Sequence, residues 1–231
     1  MSEQGFATLR GDRPIRVAIV EDQPLFRNML EVALESEPTL TVTASCATVS
    51  EANRAFATED LDVAVIDIDL PDGNGIALGV TLRRRLPDVG ILLLSAHDAM
   101  DLLLDLPPDV ASGWSYLSKN SSTDKRTLVR AIEVAASGGT TLDPALLRRM
   151  QPRAGTSVER LTGRQYKVLR LLAQGLSNAG IAEELGITEK SVQNHINALY
   201  ANLGIDADPS RNPRVTAALR LLEETGPSSS L

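Results

Sequence analysis

Three short aliphatic runs constrain this chain more than any other feature: RVAIV at 16–20, DVAVID at 62–67 and GILLLS at 90–95. Each is nearly unbroken and rich in branched residues, as a strand buried on both faces must be. Between them lie helix-like stretches at 24–36, with Leu25, Met29, Val32 and Ala33 on one face, and at about 75–86. Residues 40–45 add a strand, 48–58 a weak helix, 115–118 (SYLS) a last strand and 123–136 a last helix. Such alternation predicts a five-stranded parallel sheet, doubly wound, with helices on both of its faces.

After Gly138-Gly139 the pattern changes. Residues 138–157 hold Pro144, Pro152 and Gly155 and read as a linker with a helical turn or two. From there the periodicity is purely helical, at 163–173, 177–185, 188–203 and 213–224. The expected organisation is an α/β unit over 14–137, a linker over 138–157 and a small all-α unit over 158–224. Residues 1–13 and the GPSSSL-containing tail, 225–231, read as disordered. Charge divides the same way. The net charge is −7, yet residues 158–231 carry eight basic and eight acidic side chains, leaving 15 against 22 in the rest. Two units with different jobs fit that asymmetry. The apolar runs fall far short of the ~18 residues of a membrane span. The N-terminus has no apolar signal core, and lone Cys46 has no internal disulfide partner. A cytoplasmic protein with no membrane partner is the expectation.

In a parallel α/β sheet, functional groups gather at the carboxyl ends of the strands. Glu21-Asp22 ends the first run, Asp67 the third, Ser95 the fourth, and Lys119 the last. Clustered carboxylates raise one another's pKa unless a cation is shared. Mg2+ suits such a site, because it takes few carboxylates and keeps positions for phosphate oxygens. Asp67 would then be the nucleophile towards a phosphoryl group, with Lys119 and the metal balancing charge. Ser95 would hydrogen-bond a phosphoryl oxygen past small Ala96. Any one acid at a strand end is as easily a helix cap, and Asp22 before Pro24 suits that role. The whole set in this order is far harder to explain that way.

Glu21-Asp22, Asp67 with Leu70-Pro71 and Gly73, Ser95-Ala96, and Lys119 with Tyr116 three before it resemble the receiver domains of two-component response regulators, a flavodoxin-like fold. The resemblance implies a sensor histidine kinase as phosphoryl donor to Asp67. It implies Mg2+ bound directly by Asp22 and Asp67, by the backbone carbonyl of Asp69, and by Glu21 through water. It also implies a switch in which Ser95 moves inward and Tyr116 rotates. Departures from the family pattern are Asn120 after Lys119 and the segment MDLLLDLPPDVASGWSYLSK. There Pro107-Pro108 must break the fourth helix, so that helix should be short or displaced. His97 and Asp69, each two residues past a site residue, fall where the family tunes hydrolysis of the aspartyl phosphate.

A rival reading remains. Asp67-x-Asp69 after a buried strand also resembles haloacid-dehalogenase-type phosphatases, in which Asp69 would be a general acid/base. Those enzymes place the pair after the first strand and their metal acids downstream, whereas here the pair follows the third strand and Glu21-Asp22 lies upstream.

The helical unit carries the second pattern. Ile181, Ala182 and Leu185 form the apolar face of a short helix, Gly186-Ile187 a turn, and Thr188 a cap for the next helix. In that helix Val192, Ile196, Leu199 and Leu203 form one stripe, opposite Lys190, Asn194 and Asn197, with Ser191 and Gln193 at its flanks. This is a helix-turn-helix with an amide-rich outer face. Asn and Gln side chains read base edges in the major groove of double-stranded DNA, while Thr188, Lys190 and Ser191 suit phosphates. LTGRQ, VLRLLAQGLSN, IAEELGI and SVQNHI resemble the LuxR-type (NarL/FixJ class) output domain. That resemblance puts Gln193, Asn194 and Asn197 at the bases. It makes Val215, Ala218, Leu219 and Leu222 the dimerisation face, preceded by a long loop, IDADPSRNPR. Residues 161–205 hold only four basic side chains against three acidic, so one copy should bind weakly and a homodimer matters. The expectation is therefore a phosphorylation-controlled transcriptional regulator rather than an enzyme. The alternative within the family is a phosphorylation-independent DNA binder with an atypical receiver.

Overall fold

The computed structural model describes residues 13–57, 60–107, 110–205 and 212–227. Residues 1–12, Pro108 and most of IDADPSRNPR, on which expectations were placed, lie outside the described residues. The first unit runs β1 (Ile15–Val20), α1 (Pro24–Glu35), β2 (Leu40–Cys46), α2 (Val49–Ala55), β3 (Val63–Asp67), β4 (Asp69–Leu70), β5 (Gly73–Asn74), α3 (Gly75–Arg85), β6 (Gly90–Ser95), a 3-10 helix η1 (Met100–Asp105), β7 (Trp114–Ser118), α4 (Lys119–Ser122) and α5 (Lys125–Ala136). The chain continues through α6 (Pro144–Arg149), β8 (Met150–Pro152), α7 (Gly163–Ala173), α8 (Asn178–Leu185), α9 (Glu189–Leu203), α10 (Pro213–Glu224) and β9 (Thr225–Pro227). No helix among the described residues is long and apolar enough to cross a membrane.

The five long strands form one parallel sheet in the order β2-β1-β3-β6-β7. Alternation sends successive side chains to opposite faces. Val17, Ile19, Val63, Val65, Leu92 and Leu94 pack against α1 and α5, while Ala18, Val20, Ala64, Ile66, Ile91 and Leu93 pack on the α2 and α3 side. Gly90 lets α5 approach, since a Cβ there would meet the Ala135 carbonyl at 2.5 Å. Registry pairs Val20 with Ile66, Asp67 with Leu94 and Ser95 with Ser118, so the functional strand ends finish at one rim.

Several expectations need correction. On α1 the buried residues are Leu30 and Leu34, with Phe26, Met29 and Ala33 partly buried, whereas Leu25 is 89% and Val32 61% exposed. The helix carries two overlapping apolar stripes, and docking on the sheet chose the one through Leu30 and Leu34. The fourth helix is indeed reduced, to η1, which ends just before Pro107. The linker is built: α6 is capped by Asp143, and β8 pairs antiparallel with β9. Thr225–Pro227 is therefore strand rather than disordered tail, with the Arg153 N–H bonded to the Glu224 carbonyl at 2.9 Å.

In the helical unit the expected turn at Gly186 and cap at Thr188 are present, and further local signals close the other helix ends. Thr162 and Gln165 form a reciprocal capping box on α7. Ser177 and Thr188 cap α8 and α9, and Gly186 and Gly204 end them in left-handed conformation, at φ 62° and 63°. α10 packs against α7 and also against η1. One continuous apolar cluster runs from Trp114, Met100 and Leu103 through Leu142, Leu146 and Leu147 to Val168, Leu172 and Leu222. The two units share a core.

Candidate functional site

At the carboxyl rim, Lys119 reaches back from the first position of α4. Its Nζ donates to Glu21 Oε1 and to Asp67 Oδ2, each at 2.8 Å. Glu21 is 0%, Asp67 3% and Lys119 9% exposed. Burial pushes both carboxyl pKa values upward, opposed by the Lys119 ammonium. For Lys119, burial works downward, but its bonds to Asp67 and Glu21 outweigh it and hold the ammonium above its ordinary value. The Phe26 ring centroid lies 5.0 Å from Nζ and closes the site on that side.

Glu21, Asp22 and Asp67 each bring a carboxylate oxygen within 4.8 Å of the others. Glu21 Oε2 is buried without a hydrogen-bond partner. A buried acceptor left unpaired costs about 1–3 kcal/mol, and one ammonium cannot neutralise three acids. The donor set is all oxygen and fits a hard divalent cation. The Arg27 guanidinium holds the Glu21 carbonyl at 2.5 Å, a contact sequence reasoning missed. The Asp69 side chain is exposed, and its N–H points to Asp67 Oδ1 at 3.4 Å.

Ser95, 1% exposed, stands beside this cluster at the end of β6. Its Oγ accepts from the His97 N–H at 3.1 Å. Tyr116 is fully buried, not outward: its hydroxyl donates to the His97 carbonyl at 2.6 Å and accepts from the Ala99 N–H at 2.9 Å. Those bonds fix the loop that leads into η1. A second residue that sequence reasoning missed is Asp143, 0% exposed, whose Oδ2 accepts from Ser118 N and Oγ at 2.8 Å each. It ties α6 to the residue preceding Lys119. The Asp-Pro pair at 143–144 is a helix-start signal that could have found it.

On α9, Val192, Ile196, Leu199 and Leu203 are buried, and Lys190, Asn194 and Asn197 are exposed. Gln193 is half-buried, and its Nε2 donates to Asn197 Oδ1 at 2.9 Å. Thr188 and Ser191 hydroxyls lie 3.0 Å apart. The expected dimerisation residues are placed differently from an open face: Val215, Ala218 and Leu222 are at most 7% exposed, and Leu219 is half-buried.

Residues 17–133 match the response regulator receiver domain, and residues 159–209 match the bacterial regulatory proteins of the luxR family. Over 198 residues the chain is 32% identical to the DNA-binding transcriptional activator DevR/DosR of Mycobacterium tuberculosis, covering 83% of this chain and 89% of that one. It is 31% identical over 218 residues to the nitrate/nitrite response regulator protein NarP of Escherichia coli, covering 92% and 97%. A structure of the RcsB response regulator of Salmonella typhimurium shares the fold, with a TM-score of 0.51 at 21% identity over 91% of this chain and 98% of that one. The Asp-x-Asp stretch is thus part of a receiver, and the chain belongs to the response regulators that join a receiver domain to a LuxR-type helix-turn-helix DNA-binding domain.

Proposed function

We propose that Asp67 accepts a phosphoryl group from a phosphohistidine of a sensor histidine kinase and that this modification controls DNA binding by α9. The observation that carries the reading is the buried Lys119 ammonium shared between Asp67 and Glu21 at 2.8 Å. In the transfer, an Asp67 carboxylate oxygen bonds to phosphorus as the histidine N–P bond breaks. The released electron pair stays on the imidazole nitrogen, which takes up a proton. Lys119 Nζ meets the charge that develops on the phosphoryl oxygens, and Ser95 Oγ donates to one of them once it moves inward. Asp22, Asp67 and the Asp69 carbonyl would hold Mg2+, with Glu21 reaching it through water; the ion supplies further charge neutralisation.

The output path follows from the same contacts. Ser95 moving inward draws on the loop that Tyr116 holds at His97 and Ala99, and that loop leads directly into η1. η1 packs against α10. Phosphorylation therefore acts on α10 rather than by unmasking α9, whose Asn194 and Asn197 are already exposed. Release of α10 from η1 frees Val215, Ala218, Leu219 and Leu222 for a second copy. The dimer then places two α9 helices, with Gln193, Asn194 and Asn197 at base edges and Thr188, Lys190 and Ser191 at phosphates, on adjacent half-sites. With these roles the protein would work in the cytoplasm.

Intact-mass measurement with Mg2+ and acetyl phosphate tests the reading, beside Asp67→Asn. The expected result is one added phosphoryl group, absent in the variant, with a shift from monomer to dimer in solution. No mass gain in either protein, with unchanged DNA affinity, would favour phosphorylation-independent control.

A further inference from the structure

Lys119 is the first residue of α4, a helix of a single turn (Lys119–Ser122). So short a helix does not hold itself together by its own hydrogen bonds, so the groups around α4 decide where Lys119 begins. Ser118 caps the turn, its Oγ accepting from the Ser121 N–H at 3.1 Å. Ser118 is in turn held from outside the receiver. Its N–H and Oγ both donate to Asp143 Oδ2 at 2.8 Å, while Asp143 Oδ1 accepts from the Ala145 and Leu146 N–H groups at 2.7 and 2.8 Å. One fully buried carboxylate thus caps α6 with one oxygen and grips the residue before Lys119 with the other. The residues just before it bind the same strand. The Thr141 N–H donates to Ser115 Oγ at 2.9 Å, and the Thr141 carbonyl accepts from the Tyr116 N–H at 2.8 Å. Next, the Leu142 N–H donates to the Ala173 carbonyl at the end of α7 at 2.7 Å.

We propose that Asp143 is a positioning residue for phosphoryl transfer, which through Ser118 sets where Lys119 begins and so whether its Nζ meets the phosphoryl oxygens on Asp67. The inference rests on the reading above that Asp67 is the acceptor and Lys119 its charge partner. Lys119 is buried, with Nζ 2.8 Å from both Glu21 and Asp67, so its stem has little room to absorb a shift of its Cα. A misplacement of about 1 Å can cost ~10²-fold in rate. Asp143 lies beyond residues 17–133, the span that matches the receiver domain. The linker therefore completes the phosphorylation site.

Phosphoryl uptake by the full-length protein from acetyl phosphate with Mg2+, followed by intact mass, tests this. An Asp67 oxygen bonds to phosphorus as the P–O bond to the acetyl group breaks, and acetate leaves with the electron pair. Asp143→Asn keeps the shape and one oxygen for the α6 cap, but turns an amino group towards the Ser118 N–H. Asp143→Ser also caps a helix well and lacks the second oxygen, so it serves should the first variant fold poorly. Initial rates are counted per folded molecule, read from Trp114 fluorescence. Both variants should take up the phosphoryl group about ten- to a hundredfold more slowly than wild type. In a Lys119→Met background, which has no ammonium to seat, the same substitutions should change the rate by less than about twofold, because changes that act through one group do not add. A wild-type rate in the Asp143 variants, or an equal fold loss with and without the Lys119 ammonium, would overturn the proposal. No mass gain in wild type, or a wild-type rate in Lys119→Met alone, would overturn the reading of Asp67 and Lys119 itself, and the proposal with it.

Discussion

Asp143 shows how much one side chain can organise. Fully buried, it accepts from Ser118 N and Oγ at 2.8 Å and from the Ala145 and Leu146 N–H groups at 2.7 and 2.8 Å. Burial alone would raise its pKa, but these donors, led by the Ser118 N–H, hold it below the ordinary carboxylate value. A carboxyl depressed in the folded state contributes stability that is present above its unfolded pKa of ~3.9 and is lost as pH falls through its folded value. Asp143→Asn should therefore cost about 1–3 kcal/mol at neutral pH. The gap from wild type, read as denaturant midpoints, should narrow only in acid, below about pH 4. A gap that stays constant through that range would show that the charge is not what matters. The capping role was legible from Asp-Pro. Its grip on Ser118 was not, because that partner lies 25 residues away.

At the scale of the element, α1 separates what periodicity can give from what docking adds. Two overlapping stripes fit a helical repeat, one through Leu25, Met29 and Val32 and the other through Phe26, Leu30 and Leu34. Only contact with Val17, Ile19, Val63 and Val65 distinguishes them. Leu34→Ala should cost about 2–5 kcal/mol, and Leu25→Ala should stay within about 0.5 kcal/mol. Equal costs in chemical denaturation would contradict the observed face. The segment before Pro107 was easier to read, since proline ends a helix whatever surrounds it. The β8–β9 pair was not legible at all, because MQP and TGP are too short to show alternation and find each other only through the chain's return.

Across the whole molecule, the receiver and helix-turn-helix units share an apolar cluster through η1, α6, α7 and α10. Shared burial couples their unfolding. Trp114, 1% exposed in the sheet, and far-UV dichroism, which reports mainly the helices, should follow one coincident denaturation curve in the unphosphorylated protein. Two separated transitions would mean that the η1–α10 contact contributes little. Val215, Ala218 and Leu222 are buried inside the chain, although their spacing on the sequence marks them only as an apolar face.

The sequence by itself determined the five long strands, the main helices and the chemistry at the strand ends. Aliphatic runs ending in Glu21-Asp22, Asp67, Ser95 and Lys119 allow essentially one sheet, because parallel strands buried on both faces bring their carboxyl ends to one rim. Caps at Thr162, Ser177 and Thr188 are local hydrogen bonds and are equally legible. Only the tertiary structure decided which face of α1 is covered, what Asp143 holds, and that α10 packs on η1. It also decided that Arg214 bonds to Asn178 and Asn178 to Gln193, across three helices. Each of these is a choice among nearly equivalent faces or partners. Local periodicity is indifferent to such choices, and contacts between residues distant in the chain settle them.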